Sequence, residues 1–394
     1  MLLSISLIFI LGMSLGFICK KLKLPSLIGL LITGILLGPY VLNLIDVSIL
    51  SISSELRKIA LIIILTRAGL SLDTSGLKKI GRPAFLMCFV PATCELIGMI
   101  ILAPKLIGLS LLEAAILGAV LAAVSPAVVV PRMVKLMDEG YGTEEGIPQL
   151  ILAGASVDDI YVIVLFSTFL KMDQGQDISL TSFINIPVSI ILGIIIGLMI
   201  GSALAFYFKN VHIRDTTKVL IILCISFVLI FIEDSMNTPI TFSALISIMF
   251  IGIGLKKKRE IIAERLSIKY EKLWVAAEVL LFVLVGAEIN IFYIGNVGLK
   301  AILLIMGVLI FRMLGVLLCL IGTKLNRKER LFIMMAYTPK ATVQAAIGGI
   351  PLSMGLSCGD VVLTIAVLAI VITAPLGAFA IDSTYTTLLI KTVE

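Results

Sequence analysis

Two adjacent aspartates, Asp158 and Asp159, lie near the middle of an apolar stretch that covers residues 147–172. The stretch is long enough to cross a bilayer, because a spanning helix needs about 20 mostly apolar residues. A carboxylate at that depth costs about 2.5–3.5 kcal/mol on insertion scales, so a chain that retains two of them is expected to use them. The pair therefore indicates ion handling inside a membrane.

The composition places the whole chain in a membrane. Of its residues, 60% are hydrophobic and only 14% are charged, whereas soluble domains have about 25% charged residues. We therefore predict an all-α polytopic membrane protein with about thirteen transmembrane helices. The predicted spans cover residues 2–19, 25–45, 57–71, 82–103, 111–136, 147–172, 181–208, 217–232, 238–254, 270–289, 297–322, 329–351 and 361–380.

Basic residues are distributed unequally between alternate loops, and short loops rich in Lys and Arg stay in the cytoplasm. One side holds 23 of them: Lys20, Lys21, Lys23, Lys78, Lys79, Arg82, Arg132, Lys135, Lys209, Arg214, Lys218, Lys256, Lys257, Lys258, Arg259, Arg265, Lys269, Lys272, Lys324, Arg327, Lys328, Arg330 and Lys391. The other side holds only Arg57, Lys58, Lys105, Lys171 and Lys300. We predict a multi-pass protein of the cell membrane with its amino terminus outside and its carboxyl terminus in the cytoplasm.

These basic loops account for the net charge of +6. They are expected to face the anionic lipids of the cytoplasmic leaflet, so membrane lipids are predicted partners and nucleic acid is not. One of the loops, residues 255–272, is predicted to form an amphipathic helix on the membrane surface. The six cysteines include no CxxC pair, and no disulfide, structural metal site or cofactor is predicted.

Glu95, Arg312, Lys340 and Arg67 are charged residues within predicted spans that we single out, because each needs a partner or water at that depth. Glu95, Arg312 and Lys340 are central in their spans, and together with the two aspartates they are expected to form a buried charge network. Arg67 lies near the cytoplasmic end of its span. Its side chain either reaches the interface or takes part in such a network.

Three pairs of landmarks at similar spacing indicate an internal repeat of the kind found in transporters. Gly69 and Gly286 are 217 positions apart, as are Glu95 and Arg312, and Ser125-Pro126 precedes Thr338-Pro339 by 213. The offset corresponds to seven spans, an odd number, so equivalent helices are predicted to cross the membrane in opposite directions. The first repeat is predicted to cover 1–180, a linking helix 181–208 and the second repeat 209–394, with core helices mainly in 57–172 and 270–380.

Prolines at equivalent places predict that two spans are broken near the bilayer centre, because proline removes a backbone donor and clashes with the preceding turn. Pro126 and Pro131 are expected to unwind the fifth span, and Pro339 the twelfth. Freed backbone groups are tolerated at that depth only where they face protein or a watery cavity. Lys340 is placed to neutralise the carbonyl ends of such half-helices. A pair of ordinary proline kinks is the alternative.

These motifs together resemble the monovalent cation/proton antiporters, in particular the NHA-type sodium/proton antiporters, whose fold is shared with NhaA and NapA. The resemblance is carried by RAGLSLD at 67–73, LGAVLAAVSPAVVVPRM at 117–133, GASVDDI at 154–160 and TPKATVQAAIG at 338–348. It implies a six-helix core with two crossed, broken helices, packed beside a dimerisation domain. It also implies a homodimer.

The same resemblance implies roles for the charged residues. Asp158 and Asp159 match the aspartate pair that binds the cation and carries protons. Arg312 stands where NhaA-like members have lysine, and because arginine keeps its proton, this departure leaves open whether the basic group titrates. Glu95 and Lys340 match an additional charged pair of the NHA-type branch.

The two aspartates are expected to differ in role, because neighbouring helix positions point about 100° apart. Our hypothesis is that Asp159 binds Na⁺ or Li⁺ and carries the proton, so that cation and proton compete for the same oxygens. Asp158 is then held in an ion pair with Arg312 or Lys340. An oxygen shell suited to a hard cation is predicted to be completed by freed carbonyls and by Ser125, Ser156 and Thr338.

Three other functions fit parts of this pattern. A sodium-coupled organic solute symporter could use the same fold. An intramembrane aspartyl protease needs two carboxylates that face each other from different helices, whereas Asp158 and Asp159 are consecutive. A passive channel is disfavoured, because broken helices around a central charged network suit alternating access. The predicted function is secondary active transport rather than enzymatic catalysis.

Overall fold

The computed structural model describes residues 1–72, 81–173, 180–236 and 242–391, which are almost wholly helical. The helices are α1 (Leu2–Lys21), α2 (Ser26–Leu37), α3 (Val47–Ser51), α4 (Ser53–Ser71), α5 (Arg82–Met87), α6 (Val90–Ile107), α7 (Leu111–Leu121), α8 (Pro126–Asp138), α9 (Ile147–Asp173), α10 (Leu180–Asn210), α11 (Asp215–Ser235), α12 (Ala244–Lys258), α13 (Glu260–Ala287), α14 (Ile291–Cys319), α15 (Arg327–Ala336), α16 (Thr342–Ile347), α17 (Ile350–Ser353) and α18 (Gly359–Leu388).

The all-helical membrane prediction is confirmed. Eight helices or helix pairs in the described residues are long and apolar enough to cross a membrane. Each of the thirteen predicted stretches contains helical residues, although not every stretch is helical throughout. The number of spans stays a prediction.

Three predicted helices differ from the structure in their extent or continuity. The span predicted over 25–45 is helical only to Leu37, because Gly38 and Pro39 follow and a proline does not continue a helix. The surface helix predicted over 255–272 is not a separate element, since α12 ends at Lys258 and α13 runs without interruption from Glu260 to Ala287. The span predicted over 82–103 is interrupted between α5 and α6.

The interruption between α5 and α6 has a local cause in Pro91, which lies in the first turn of α6. Proline has no amide hydrogen, so the carbonyl four residues earlier loses its helical donor. That carbonyl belongs to Met87, and it accepts a hydrogen bond from the Tyr337 hydroxyl over 3.0 Å. The side chain of Tyr337 thereby satisfies a buried backbone group at the kink.

The chain divides into two compact units. The first unit comprises Met1–Ser54, Asp73–Asp173 and Leu281–Glu394, and the second comprises Glu55–Leu72 and Gln174–Leu280. In the first unit α6 packs along α14, and in the second α10 packs along α12. All five charged residues expected to form the buried network belong to the first unit. The division into repeats at residues 180 and 209 stays a prediction.

Two helices of the first unit are interrupted at a Ser-Pro or Thr-Pro pair. α7 ends at Leu121 and α8 begins at Pro126, which takes the first helical position, where a missing amide hydrogen costs nothing. α15 ends at Ala336 and α16 begins at Thr342, so the second interruption contains Pro339.

Pro131 does not break its helix, contrary to the sequence prediction. It lies inside α8, which continues to Asp138. A proline inside a helix removes one hydrogen bond and kinks the axis, whereas the helix ends only where neighbouring residues also leave helical geometry. The unwound backbone of this span is confined to residues 122–125.

Glycines allow one close helix crossing in each unit. In the second unit a Cβ atom on Gly252 would lie 2.6 Å from the amide nitrogen of Leu70, so α12 touches α4 beside Gly69. In the first unit a Cβ atom on Gly286 would lie 3.1 Å from the Cα of Gly34, so α13 touches α2. Larger residues at these glycines would push the helices apart, because backbone faces backbone there.

Candidate functional site

The two interrupted helices meet at their interruptions. The amide of Ser125 donates to the carbonyl of Pro339 over 2.8 Å, which links residues 122–125 directly to residues 337–341. α7 and α15 end at this crossing with carbonyls that have no helical partner, and α8 and α16 begin there with free amides. Negative and positive helix ends therefore lie together in one buried region.

Two cationic side chains satisfy the carbonyl ends. Lys340 Nζ donates to the carbonyl of Leu121 over 2.6 Å. Arg312 Nε donates to the carbonyl of Tyr337 over 2.5 Å, and its Nη1 donates to the carbonyl of Ala122. Each interrupted helix thus has a buried cation at its carboxyl-terminal end, where the helix dipole favours positive charge.

The same two cations form ion pairs with two carboxylates. Arg312 Nη1 lies 2.8 Å from Glu95 Oε2, and Arg312 Nη2 lies 2.9 Å from Asp158 Oδ2. Lys340 Nζ lies 2.7 Å from Glu95 Oε1. All four side chains are fully buried. A buried charge is tolerated only when it is paired and hydrogen-bonded, and here two positive groups meet two negative groups.

Asp158 is also tied to the first interruption, because its Oδ2 accepts a hydrogen bond from the amide of Val124 over 3.2 Å. The sequence left open whether Asp158 pairs with Arg312 or with Lys340. The structure pairs it with Arg312, and Lys340 pairs with Glu95 instead.

Asp159 is a fifth charge outside these pairs. It follows Asp158 on α9 and is only 9% exposed. Its Oδ1 is buried and accepts no hydrogen bond from the residues that the structure describes. Because the four other charges already balance, an ionised Asp159 gives this region one negative charge in excess.

Three further buried oxygen atoms of this region lack a hydrogen-bond partner among the described residues: Ser125 Oγ, Gln344 Oε1 and the second carboxylate oxygen of Asp158, Oδ1. Gln344 lies on α16 and is fully buried. Its Nε2 donates to the carbonyls of Leu121 and Ala123 over 3.3 and 2.9 Å. The sequence analysis missed Gln344, although it lies only four residues after Lys340 in the chain.

The other two predicted oxygen ligands are placed differently. Thr338 Oγ1 donates to the carbonyl of Met335 over 2.8 Å, and Thr338 lines a mostly apolar cavity of about 470 Å³ beside α14 and α18. No described hydrogen bond joins Thr338 to an aspartate. Ser156 lies on α9, and its side chain is outside the part of the chain that the structure describes.

A second set of charges lies within the helices of the second unit. Arg67 Nη2 lies 3.4 Å from Glu271 Oε1, and the Arg67 side chain is 31% exposed. Glu278, which is partly buried on the same helix as Glu271, was passed over in the sequence although it lies inside a predicted span. Arg67 is therefore paired within the second unit and is not a member of the network around Asp158.

The crossing has the chemistry of a site for one small positive charge. A proton on Asp159 would restore electrical balance, and so would a monovalent cation bound to its oxygens. Hard cations prefer carboxylate, hydroxyl and carbonyl oxygens, and Asp159, Ser125 and Gln344 each have a buried oxygen atom without a described partner.

Comparison with known protein families gives one match that covers nearly the whole chain. The family model described as sodium/hydrogen exchanger, transmembrane, matches residues 5–384.

Individual proteins that are similar to this chain are also named as sodium/hydrogen exchangers or sodium proton antiporters. Sodium/hydrogen exchanger 9B2 of Homo sapiens is 36% identical over 377 residues, which cover 91% of this chain and 68% of that protein. Sodium/hydrogen exchanger 9B1 of Homo sapiens is 33% identical over 377 residues, which cover 90% of this chain and 70% of that protein. Among solved structures, the sodium proton antiporter MjNhaP1 from Methanocaldococcus jannaschii matches with a TM-score of 0.85 and 21% identity, over 98% of this chain and 97% of that one.

Proposed function

This chain belongs to the sodium/hydrogen exchanger family, and from that premise we propose that it exchanges Na⁺ or Li⁺ for protons across the cell membrane by alternating access. Its relatives are exchangers, so the protein is a transporter and not an enzyme. Na⁺ or Li⁺ and H⁺ are its cargo, and the exchange needs no cofactor.

The observation that carries the proposal is the charge balance at the crossing of the two interrupted helices. Glu95 and Asp158 neutralise Arg312 and Lys340 through ion pairs of 2.7 to 2.9 Å. Asp159 has no described ion pair, and its Oδ1 has no described donor. Of the three carboxylates in the cluster, Asp159 is the one whose charge is not already neutralised by a described ion pair, so a proton or cation bound to it adds the missing positive charge.

Competition for Asp159 then produces exchange. A cation and a proton cannot both occupy the same carboxylate oxygens, so binding of one releases the other. An empty, ionised site carries an uncompensated charge, and such a charge is costly to expose to a low dielectric. Movement between the two membrane faces is therefore favoured only when Asp159 holds a proton or a cation, which couples the two fluxes.

Transporters that work by alternating access are often built from an inverted repeat. Three contacts in the structure support such a repeat in this chain. Glu95 and Arg312, which the repeat makes equivalent, are bonded to each other, as expected where the axis that relates the repeats passes between them. The repeat pairs Gly69 with Gly286 at an offset of 217 positions, and their contact partners, Gly252 and Gly34, differ by 218. The two glycine crossings are thus themselves equivalent under the repeat.

We further infer that the protein lies in the cell membrane with its amino terminus outside, its carboxyl terminus in the cytoplasm and its basic loops against anionic lipids. The support is the distribution of 23 basic residues on one side against five on the other. A homodimer is inferred from the family resemblance, and native mass spectrometry of the purified protein tests it.

The alternatives lose support from the same geometry. An aspartyl protease needs two carboxylates that share one water, whereas Asp158 is bound by the guanidinium of Arg312 and the amide of Val124. The experiment below distinguishes symport with an organic solute from antiport, because in a symporter cation transport would require the organic solute.

The test is proton movement in proteoliposomes made with the purified protein and an acid interior. Addition of NaCl or LiCl is expected to discharge the pH gradient, whereas choline chloride is expected to leave it intact. The Na⁺ concentration for half-maximal exchange should rise as the pH is lowered, because protons compete for the same carboxylate. Proton movement that no monovalent cation triggers, or that requires an organic solute, would contradict the proposal.

A further inference from the structure

Arg132 is a charged residue to which the exchange mechanism above gives no role. It was counted among the basic residues of the loops, but the structure places it inside α8, the half-helix that begins at the first interruption. Its side chain is only 21% exposed. A charge with so little exposure needs specific partners, because its contact with water is largely lost.

The ionic partner of Arg132 is Asp382 on α18. Arg132 Nε donates to both carboxylate oxygens of Asp382 over 3.1 Å, and Nη2 donates to Oδ2 over 3.0 Å. Several hydrogen bonds between a planar guanidinium and a planar carboxylate fix the orientation of the two groups as well as their distance. The pair therefore holds α8 against α18 in a defined arrangement, unlike the single contacts of exposed ion pairs.

The remaining nitrogen of Arg132 binds its own helix. Nη1 donates to the carbonyl of Val128 over 2.9 Å. Val128 lies in the first turn of α8, and Pro131 lies between Val128 and Arg132. Helices kink at proline because a backbone hydrogen bond is missing there. The side chain of Arg132 thus spans the kink and connects the first turn of α8 to α18.

This first turn carries Ser125, the N-cap residue of α8. The carbonyl of Ser125 accepts hydrogen bonds from the amides of Val128 and Val129, each over 3.2 Å. Its hydroxyl oxygen is one of the buried oxygens without a described partner at the crossing. A shift of the first turn of α8 would therefore move a candidate ligand of the cation.

The helix that binds Arg132 also contacts the second interruption. Thr373 Oγ1 on α18 accepts a hydrogen bond from the amide of Lys340 over 3.0 Å. A Cβ atom on Gly377 would lie 2.9 Å from Pro339 Cδ, so α18 touches the interrupted segment with no side chain between them. Asp382 follows on the same helix. α18 thus contacts the second interruption directly and the first half-helix through Asp382.

We propose that Arg132 is a positioning residue of the cation site. Bound to Asp382, it holds α8 where Ser125 Oγ can join the oxygen shell of the cation. The inference rests on the proposed exchange function. A proton needs only the carboxylate of Asp159, whereas a cation needs the whole shell of oxygens, so loss of Arg132 should weaken cation binding and leave proton binding unchanged.

Na⁺-dependent proton movement in proteoliposomes made with the purified full-length chain tests the proposal. Arg132→Gln is expected to raise the Na⁺ concentration for half-maximal exchange about fivefold, because one oxygen ligand is displaced. The maximal rate should stay within about twofold of wild type. The increase should persist at high pH, where protons no longer compete. Arg132→Lys keeps the charge without the planar fork and should give a smaller increase.

Arg330→Gln is the matched control. Arg330 is a partly buried arginine on the same predicted side of the membrane, and its side chain donates to the carbonyls of Leu325 and Thr323 in the preceding loop. The substitution removes the same charge and should leave the half-maximal Na⁺ concentration unchanged. Gel filtration and the melting temperature check that each variant is folded.

Asp382→Asn removes the same ion pair from α18, so the test does not depend on whether Arg132→Gln folds. It should give a similar increase of about fivefold. The double variant Arg132→Gln, Asp382→Asn should show no larger increase than either single variant, because all three remove one interaction.

An unchanged half-maximal Na⁺ concentration in Arg132→Gln and Asp382→Asn, with or without a lower maximal rate, would overturn the proposal, because Arg132 would then serve only the stability of the fold. An increase that disappears at high pH would overturn it too, since the effect would then lie on the proton. So would an equal increase in Arg330→Gln, or increases that multiply to about 25-fold in the double variant. In each case the wild type still exchanges, whereas a wild type without cation-dependent proton movement would refute the proposed function itself.

Discussion

The crossing of the interrupted helices has a paired side and an unpaired side. The paired side consists of Glu95, Asp158, Arg312 and Lys340, whose charges balance and whose contacts tie both interruptions together. The unpaired side consists of Asp159 and the hydroxyl of Ser125, whose buried oxygens have no donor among the described residues. Two adjacent residues of one helix, Asp158 and Asp159, thus belong to opposite sides.

Substitutions on the two sides are therefore expected to affect different properties, the stability of the fold on the paired side and ion exchange on the unpaired side. Removal of one member of a buried ion pair leaves its partner uncompensated, which costs about 3–5 kcal/mol. Removal of an unpaired carboxylate leaves nothing uncompensated. Substitutions on the paired side should therefore lower the free energy of unfolding, and substitutions on the unpaired side should abolish exchange while the fold is kept.

The largest effect is expected for Asp159→Asn. The amide can neither carry a proton nor bind a cation through a charge, so Na⁺-dependent proton movement in proteoliposomes should fall to the level of empty liposomes. The melting temperature of the purified protein should stay the same or rise, because a buried charge without a partner is removed. Asp360→Asn, a change at an exposed carboxylate of α18, is the matched control and should keep exchange. Persistent cation-dependent exchange in Asp159→Asn would place the site elsewhere.

On the paired side, Glu95→Gln should be the most destabilising change. It leaves Lys340 without its ion pair and Arg312 paired with Asp158 alone, so the free energy of unfolding should fall by about 3–5 kcal/mol. Chemical unfolding followed by the fluorescence of Trp274 gives that quantity. The double variant Glu95→Gln, Lys340→Gln removes one charge of each sign and should recover at least half of the loss. Additive losses in this cycle would contradict the pairing of Glu95 with Lys340.

A smaller loss of stability is expected for Arg312→Lys. Lysine keeps the positive charge but has no planar fork, so it cannot reach Asp158, Glu95 and the carbonyl of Tyr337 together, as Arg312 does. Loss of two hydrogen bonds predicts about 1–3 kcal/mol. Exchange should continue, since Asp159 is unchanged, whereas Arg312→Gln should unfold more readily than Arg312→Lys. Equal stability of the two variants would show that the charge of Arg312 contributes little.

The sequence was sufficient for the parts of this comparison that depend on residue type. Charges and prolines stand out in an apolar chain, so Asp158, Arg312 and the interruption at Pro126 could be found from it. Pro131 was assigned wrongly, because one proline kinks a helix and the sequence does not tell whether its neighbours also unwind. The choice between Arg312 and Lys340 as the partner of Asp158 depends on helix rotation and crossing, which no local pattern records.

Gln344 was missed for a related reason. A glutamine in a helix is common, and it carries no charge that would mark it as out of place in a membrane. Its importance follows only from its neighbours, the carbonyls of Leu121 and Ala123 at the end of the other interrupted helix. Those neighbours are distant in sequence, so the pattern of residues around Gln344 could not predict them.

Gln344 contributes one atom to each side of the crossing. Its Nε2 donates to the carbonyl of Ala123, as the side chains of the paired side do, whereas its Oε1 is a buried oxygen without a described donor, as on the unpaired side. Gln344→Met keeps the volume of the side chain and removes both atoms. The loss of stability should be about 1 kcal/mol, since Lys340 still satisfies the carbonyl of Leu121. If Oε1 helps to bind the cation, the half-maximal Na⁺ concentration should rise several-fold while the maximal rate stays within about twofold of wild type. An unchanged half-maximal concentration together with the lower stability would assign Gln344 wholly to the paired side, and the cation would then rely on Asp159 and its remaining oxygen neighbours.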